Sequence, residues 1–249
     1  MIFNRIPRSI YFKISGYTMG GCTTGDPIFD TIDKFSFFTN GNASDVGNLS
    51  AAKHSVAGTL SFIHGYSAGG YISAGVDVIE KFSFSIDGNT SDVGDLTVAR
   101  WNCSGASSFI RGYSAGGYTS VTYVNVIEKF SFSTDGNASD VGDLTVARWA
   151  PAGLSSAAYG YSAGGMTSSD SNVIDKFSFA SDGNASDVGD LTVARCFIAG
   201  ISSKIHGYSA GGEVSGGYSN VIDKFLFASD GNASDVGDLT VTRRLCAGV

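Results

Sequence analysis

The chain of 249 residues repeats one short sequence five times. Four copies read Gly-Tyr-Ser-Ala-Gly-Gly and begin at Gly65, Gly112, Gly160 and Gly207, and a variant, Gly-Tyr-Thr-Met-Gly-Gly, begins at Gly16. Successive copies start 49, 47, 48 and 47 residues apart. A period this constant indicates one supersecondary unit repeated along the chain, and it restricts the fold to repeat architectures.

Each unit contains four short segments separated by clusters of Gly, Asn, Asp and Ser. In the fourth unit, residues 173–179 place Phe177 and Phe179 on one face by alternation, which predicts a β-strand. The run Asp182-Gly-Asn that follows favours a hairpin turn, because these residues tolerate positive φ. Residues 191–195 are then the fourth strand. Four strands in a unit of about 47 residues are typical of one blade of a β-propeller.

The order of these segments resembles the blades of kelch-type β-propellers. A glycine doublet ends one strand, an aromatic strand follows a variable loop, and a last strand precedes the next unit. The resemblance covers almost the whole chain, although residues 188–191 stand where kelch blades typically carry a tryptophan. In composition, the near-identical units rich in Gly, Ser and Asp also resemble the repeat arrays of phage tail fibres and other adhesins.

The predicted fold is all-β: a five-bladed β-propeller of four-stranded antiparallel blades. A single domain, residues 1–249, contains units at about 8–53, 54–100, 101–148, 149–195 and 196–243. The kelch order makes the first strand of each blade the innermost, at residues 9–15, 57–64, 105–111, 153–159 and 199–206. Small side chains dominate most of them, as a narrow hub requires. We expect blades 1 and 5 to close the ring by side-chain packing; the alternative is that residues 245–249 add an edge strand.

Composition argues against several kinds of function. The net charge of −7 makes nucleic acid and anionic membranes poor partners, because both require a basic patch. No apolar run is long enough to predict a membrane span, and the first residues lack the apolar core of a signal peptide. The four cysteines form no CxxC pair and are expected to be small buried hydrophobic residues: Cys22, Cys103, Cys196 and Cys246.

The repeated acidic hairpin is a candidate metal site. In the fourth unit it runs from Asp182 to Asp187 with alternating oxygen donors, but it lacks the glycine and the distal glutamate of an EF-hand loop. We therefore expect its side-chain oxygens to cap backbone N–H groups. The prediction is that the protein binds neither a metal nor a cofactor.

The residue before each Gly-Tyr pair is a second candidate. These residues are expected to ring the hub opening: Ser15, His64, Arg111, Tyr159 and His206. Galactose oxidase, a kelch-fold copper enzyme, uses histidines and a tyrosine, but no cysteine of this chain matches its Tyr–Cys cofactor. Because fold alone does not imply chemistry, we expect variable residues here and no enzymatic activity.

Differences between the units gather in two segments, one after the glycine doublet and one after Thr-Val-Ala-Arg. Strand direction alternates through a blade, so both segments open on one face, which we call the variable face. Aromatic rings beside arginines suit stacking on a sugar or anchoring a protein. The predicted ligand-binding residues are Trp101, Trp149, Tyr71, Tyr118, Tyr123, Arg100, Arg148 and Phe197. The alternative is that Trp101 and Trp149 fill gaps between blades.

These features favour a non-enzymatic recognition or adhesion module. Its expected partner is a glycan or protein on a host or partner surface, and its expected location is extracellular or on a phage virion. The alternative is a structural propeller that packs into a larger assembly through its variable face.

Overall fold

The computed structural model describes residues 15–23 and 27–245. Within these ranges the chain contains strands and turns but no helix, and it forms a five-bladed β-propeller of antiparallel sheets. The strands of each blade pair in chain order, so the blade grows from its first strand to its last. The predicted fold class is therefore confirmed.

Four blades have four main strands and the first is described by three. Blade 1 contains β1 (Ser15–Cys22), β2 (Ile28–Ser36) and β3 (Ser44–Asn48). Blade 2 contains β4 (Ala57–Leu60), β5 (His64–Ala68), β6 (Val78–Ser83) and β7 (Ser91–Asp95). Blade 3 contains β8 (Ser104–Ser107), β9 (Arg111–Ala115), β10 (Val126–Ser131) and β11 (Ser139–Asp143). Blade 4 contains β12 (Ala152–Ser155), β13 (Tyr159–Ala163), β14 (Val173–Ser178) and β15 (Ser186–Asp190). Blade 5 contains β16 (Ala199–Ser202), β17 (His206–Ala210), β20 (Val221–Leu226) and β21 (Ser234–Asp238), with the hairpin β18 (Glu213–Val214) and β19 (Gly217–Tyr218) in its variable loop. The inner strand expected at residues 9–15 lies outside the described residues, apart from Ser15.

The inner strands are shorter than the sequence suggested. In blade 2 the strand ends at Leu60, because residues 61–64 form a tight turn in which Ser61 N donates to His64 O at 2.9 Å. The Ser61 hydroxyl accepts a hydrogen bond from His64 N, also at 2.9 Å. The same turn follows the other three inner strands, with the serine at Ser108, Ser156 and Ser203.

The outermost strand was also misplaced by the sequence prediction. In blade 4 it is β15, whereas residues 191–195 leave the sheet. Leu191 turns into the core with 2% of its surface exposed, and Arg195 is fully buried against the next blade. Residues 191–195 therefore serve as a packed connection between blades.

Three aromatic rings pack each of the four junctions between consecutive blades. At the junction of blades 3 and 4, the Tyr113 ring centroid lies 5.6 Å from that of Phe177 and 4.8 Å from that of Phe179. The alternation in the sequence placed these two phenylalanines on one face, and this prediction is confirmed. A Cβ on Gly160 would lie 2.3 Å from the Phe177 ring, which explains the first glycine of the repeated phrase. The equivalent triads are Tyr17, Phe82 and Phe84; Tyr66, Phe130 and Phe132; and Tyr161, Phe225 and Phe227.

A buried ion pair also links each of these blades to the next. Arg148, which follows the outer strand of blade 3, forms an ion pair with Asp175 on β14 of blade 4. Both side chains are fully buried. Asp175 also accepts hydrogen bonds from Thr145 N at 3.0 Å and Thr145 Oγ1 at 2.7 Å. The equivalent pairs are Lys53 with Glu80, Arg100 with Glu128, and Arg195 with Asp223. Such a pair holds blades in register, because a carboxylate buried without its cation would be strongly unfavourable.

The junction of blades 5 and 1 differs from the other four. Arg243, at the position of Arg148, is exposed, and no ion pair is found for it or for Asp33 among the described residues. Phe35 is only half-buried, whereas its four counterparts are 3–5% exposed. Closure by packing of blades 1 and 5 was expected from the sequence, but the described residues show at this junction neither the ion pair nor the aromatic triad of the others.

Candidate functional site

The two variable segments of each blade meet on one face. In blade 3, Trp101, which follows the outer strand of blade 2, forms a β-bridge with Tyr118, which follows the glycine doublet. The same bridge joins His54 to Tyr71, Trp149 to Met166, and Cys196 to Glu213. The prediction of a single variable face is therefore confirmed by backbone pairing.

A hydrogen-bonded rim holds this face together. The residue after each of these four bridges has a positive φ of 52–59°, a left-handed conformation that turns the chain from the outer edge of one blade into the hub of the next: Ser55, Asn102, Ala150 and Phe197. Leu245, at the same position of the repeat, has a φ of 58°. Asn102 N donates to Ser55 O at 2.9 Å, Ala150 N to Asn102 O at 2.8 Å, and the series continues through Phe197 to Leu245. Because few non-glycine residues adopt this conformation, the surrounding structure must hold it in place.

Six of the eight predicted site residues form one continuous row of rings across the variable face. The Trp101 ring lies 4.8 Å from Tyr71 and 4.9 Å from Tyr118 between centroids. Trp149 stacks almost parallel to Tyr123 at 6.0 Å and meets Phe197 edge-on at 5.1 Å. We call this set the aromatic row: Tyr71, Trp101, Tyr118, Tyr123, Trp149 and Phe197. Tyr118 also lies 6.0 Å from Trp149, so the contacts are unbroken.

Every ring of the aromatic row is partly exposed. The alternative that the tryptophans fill gaps between blades is true in part, because the Trp101 ring packs against Gly75 in the loop of blade 2, where a Cβ would lie 2.8 Å from it. Packing thus fixes the orientation of these rings while one part of each still reaches the surface. A rigid, amphipathic surface of this kind loses little entropy on binding.

Arg100 and Arg148 do not join this surface. Their side chains are 1% and 0% exposed, and they bond Glu128 and Asp175 inside the blade junctions. A guanidinium buried in this way is unavailable to a ligand at the surface, so we leave both residues out of the candidate site.

A different arginine stands at the end of the row. The Arg244 guanidinium carbon lies 5.6 Å from the Phe197 ring and 5.4 Å from Tyr218, and the side chain pairs with Glu213. The hydrogen bond with Glu213 raises the pKa of Arg244. At the other end, His54 lies 5.3 Å from Tyr71. Neither residue was among those predicted, although both occupy the repeat position of Trp101 and Trp149, which was the signal available in the sequence.

An acidic cleft adjoins the row between the variable loops of blades 4 and 5. It is a cavity of about 300 Å³ bordered by Asp170, Glu213 and Met166. The Cys196 thiol lies fully buried nearby. Burial raises the pKa of Cys196 to about 12, and Asp170 and Glu213 act in the same direction. The thiol therefore stays protonated at neutral pH and does not supply a nucleophile.

The acidic hairpins lie on the opposite face, and their carboxylates divide into two roles. The second aspartate caps the turn, as predicted: Asp140 Oδ1 accepts a hydrogen bond from Gly142 N at 3.1 Å. The first aspartate instead pairs with a lysine of the preceding blade, as Asp135 does with Lys81 at 2.6 Å. Within the described ranges, no group of three or more potential ligand side chains is placed to hold a metal.

The residues expected to ring the hub opening occupy equivalent positions in successive blades. His64, Arg111, Tyr159 and His206 each begin the second strand of their own blade, on the face of the acidic hairpins. The His64 ring lies 6.2 Å from Tyr66 of the same strand. Burial, followed by the charge of Lys81, lowers the pKa of His64.

A larger apolar cavity of about 950 Å³ lies at the hub, beside β1 and the turns after β4 and β8. Phe62 and Phe109, at the tips of those turns, stack at 5.9 Å across it. Because the residues that precede Ser15 lie outside the description, the lining of this cavity is incomplete and it does not enter the candidate site.

Of the four cysteines, Cys103 and Cys196 are buried, as expected, and Cys22 is exposed; Cys246 lies outside the described residues. No helix long and apolar enough to cross a membrane is found in the part of the chain that the structure describes. In comparisons with known proteins, no family model and no curated sequence matches this chain.

Proposed function

We propose that the protein is a non-enzymatic recognition module that binds a glycan or protein on a partner surface through its variable face. The observation that carries this proposal is the aromatic row, six partly exposed rings in continuous contact. Partly exposed aromatic rings in rigid settings are typical anchors of binding surfaces. The variation among otherwise near-identical units supports the same face, because the rest of each unit maintains the fold.

The polar groups around the row suit a ligand that combines apolar and hydroxyl-bearing faces. Arg244 supplies guanidinium donors at one end, and the carboxylates of Asp170 and Glu213 supply acceptors in the adjoining cleft. A sugar ring stacks on an aromatic face and hydrogen-bonds through its hydroxyls to such groups, which favours a glycan. An extracellular or virion location remains part of the proposal; the compositional likeness to adhesin repeats supports it.

The test is binding of the full chain to a glycan array and to immobilised cell-surface proteins. We expect Trp101→Ala or Tyr118→Ala to weaken the binding by about 1–2 kcal/mol, because truncation of an anchor ring removes its buried contact. The matched control is Lys129→Ala, on the opposite face, which should leave affinity unchanged. Melting curves of the same variants separate lost contacts from lost fold. Unchanged affinity in both ring variants would reject the aromatic row as the binding surface.

The second candidate function is that of a structural subunit. It is favoured by a different observation, namely that the described residues of blades 1 and 5 do not show, between these two blades, the ion pair and the aromatic triad of the other junctions. The mass of the purified particle distinguishes a monomer from a subunit of an assembly.

A further inference from the structure

The facing sides of blades 1 and 5, which no ion pair or ring contact joins among residues 15–23 and 27–245, carry the two halves of one interface. On the blade 5 side, β21 is exposed at all five residues, whereas the last three residues of β7, β11 and β15 are half-buried by the next blade. On the blade 1 side, Asp33 is half-buried and Phe37 is 51% exposed. Both faces would become buried if a neighbouring blade were placed on them.

Four internal junctions show what the missing contacts would be. At the junction of blades 4 and 5, Arg195 bonds Asp223 at 2.9 Å, and Thr192 Oγ1 donates to the same carboxylate at 2.6 Å. Farther out, Asp190 N donates to Asn232 Oδ1 at 3.1 Å. At the repeat positions of Arg195, Thr192 and Asp190, blade 5 carries Arg243, Thr240 and Asp238. Asp33 and Asn42 take the place of the blade 5 residues.

We propose that the blade 5 face of one copy of this protein docks on the blade 1 face of a second copy, head to tail. In this arrangement Arg243 pairs with Asp33 of the second copy, and Tyr208 packs against Phe35 and Phe37 of the second copy. The occupant is a second copy because the complementary face belongs to this same chain. Among the described residues, no hydrogen bond, ion pair or ring contact joins the two faces within one copy. This inference is independent of the ligand bound by the variable face.

The backbone rim supports the same register. Each rim residue donates its N–H to the carbonyl of the preceding rim residue, and the series runs from Ser55 to Leu245. Its next step in the repeat joins Ser55 N of the second copy to Leu245 O. One position departs from the pattern. The lysines equivalent to Lys224 pair with an aspartate of the next blade, whereas the equivalent residue of the second copy is Asn40. The outer ion pair is therefore missing, while the buried one is retained. A head-to-tail contact of this kind builds a ring if its rotation closes and a filament if it does not.

The first test reverses each charge of the buried pair in the full chain. The wild-type protein should associate with increasing concentration, and Arg243→Glu or Asp33→Lys should weaken association by about 30-fold or more, since each leaves a charge buried against a like charge. An equimolar mixture of the two variants should restore association, because every junction then joins opposite charges. Sedimentation velocity measures all four samples. A wild-type protein that remains monomeric at its highest soluble concentration, or variants that associate as well as wild type, would overturn the proposal.

The second test separates association from closure within one copy. Arg243→Cys and Asp33→Cys are placed in separate chains, each combined with Cys22→Ser because Cys22 is exposed. Oxidation of their mixture should give a covalent dimer, and oxidation of either variant alone should give much less. A chain that carries both new cysteines should form covalent oligomers. If it forms only an internally linked monomer, the two faces close on each other and the proposal is wrong.

Discussion

At the scale of single residues, Arg148 and Arg243 occupy the same position of the repeat in opposite surroundings. Arg148 is fully buried with Asp175, and Arg243 is exposed. At the junction of blades 1 and 2, Glu80 shows how its surroundings shift the pKa of such a buried carboxylate. Burial alone would raise the pKa of Glu80, but hydrogen bonds from Lys53, Thr90 and Ser50 outweigh it and lower that pKa. The Glu80 carboxylate is thus held ionised by Lys53 and Ser50, which follow the outer strand of blade 1, and by Thr90 of its own blade.

This contrast gives a prediction with an internal control. Arg148→Ala should destabilise the fold by about 3–5 kcal/mol, because it leaves Asp175 buried without its cation. Arg243→Ala should change the free energy of unfolding by less than about 0.5 kcal/mol in the dilute monomer. Urea denaturation of both variants measures the difference. Equal effects would show that the junction pairs do not contribute as their burial indicates.

The same residues show how far the sequence could predict the candidate site. The aromatic row follows from the units themselves, because the residues that differ between near-identical copies are free of the shared fold. Arg100 and Arg148 were placed on the binding surface because they adjoin the tryptophans in sequence. The sequence also carried an opposing signal. An arginine recurs at this position of the repeat, and a Glu or Asp recurs in the third strand of the following blade. Charges of opposite sign that repeat with the fold indicate a structural pair.

At the scale of elements, the outer strand of one blade contacts the backbone of the next blade so closely that only glycine fits at the contact. Gly142 on β11 has φ 151°, and a Cβ there would lie 2.3 Å from Gly183 O of the next blade. Gly237 on β21 has a similar φ of 142° but no heavy atom within 4 Å of the Cβ position. The two glycines share a positive φ that glycine adopts without strain, and they differ in whether a neighbouring blade lies beside them.

We therefore predict that Gly142→Ala destabilises the protein by more than Gly237→Ala does. Both substitutions carry the strain of a positive φ, about 1–2 kcal/mol, and only the first also forces adjacent blades apart. Thermal melting of the two variants at low protein concentration is the measurement. A larger effect at Gly237 would contradict the open space found beside this residue.

Strand number and order followed from the sequence, but two boundaries did not. The turn at residues 61–64 carries Phe62 and Ile63, whose β-propensity hides the turn, and its determinant is the hydroxyl of Ser61. Residues 191–195 alternate like a strand, yet Arg195 is drawn out of the sheet by Asp223 of the next blade. In the first case a side-chain hydrogen bond overrides the local sequence pattern. In the second case an ion pair between two blades does so.

At the scale of the whole molecule, each blade contacts only its neighbours, so stability is close to a sum over blades and junctions. Blade 3 has a packed junction on both sides, with the pairs of Arg100 and Arg148. Blades 1 and 5 have one such junction each among the described residues. Opening of an end blade breaks one junction, whereas exposure of blade 3 breaks two or requires global unfolding.

Native-state hydrogen exchange should therefore show graded protection in a dilute sample. Amides of β10 in blade 3 should exchange most slowly, and those of β20 in blade 5 and β2 in blade 1 should exchange faster, although all three strands pair with a neighbouring strand on both sides. Raising the concentration should slow exchange in β20 and β2 selectively, because docking of a second copy adds the junction that the end blades lack. The variant Arg243→Glu should not show this concentration effect. Equal protection of the three strands at all concentrations would mean that the five blades unfold as one closed unit, and it would contradict the proposed docking of the blade 5 face on a second copy.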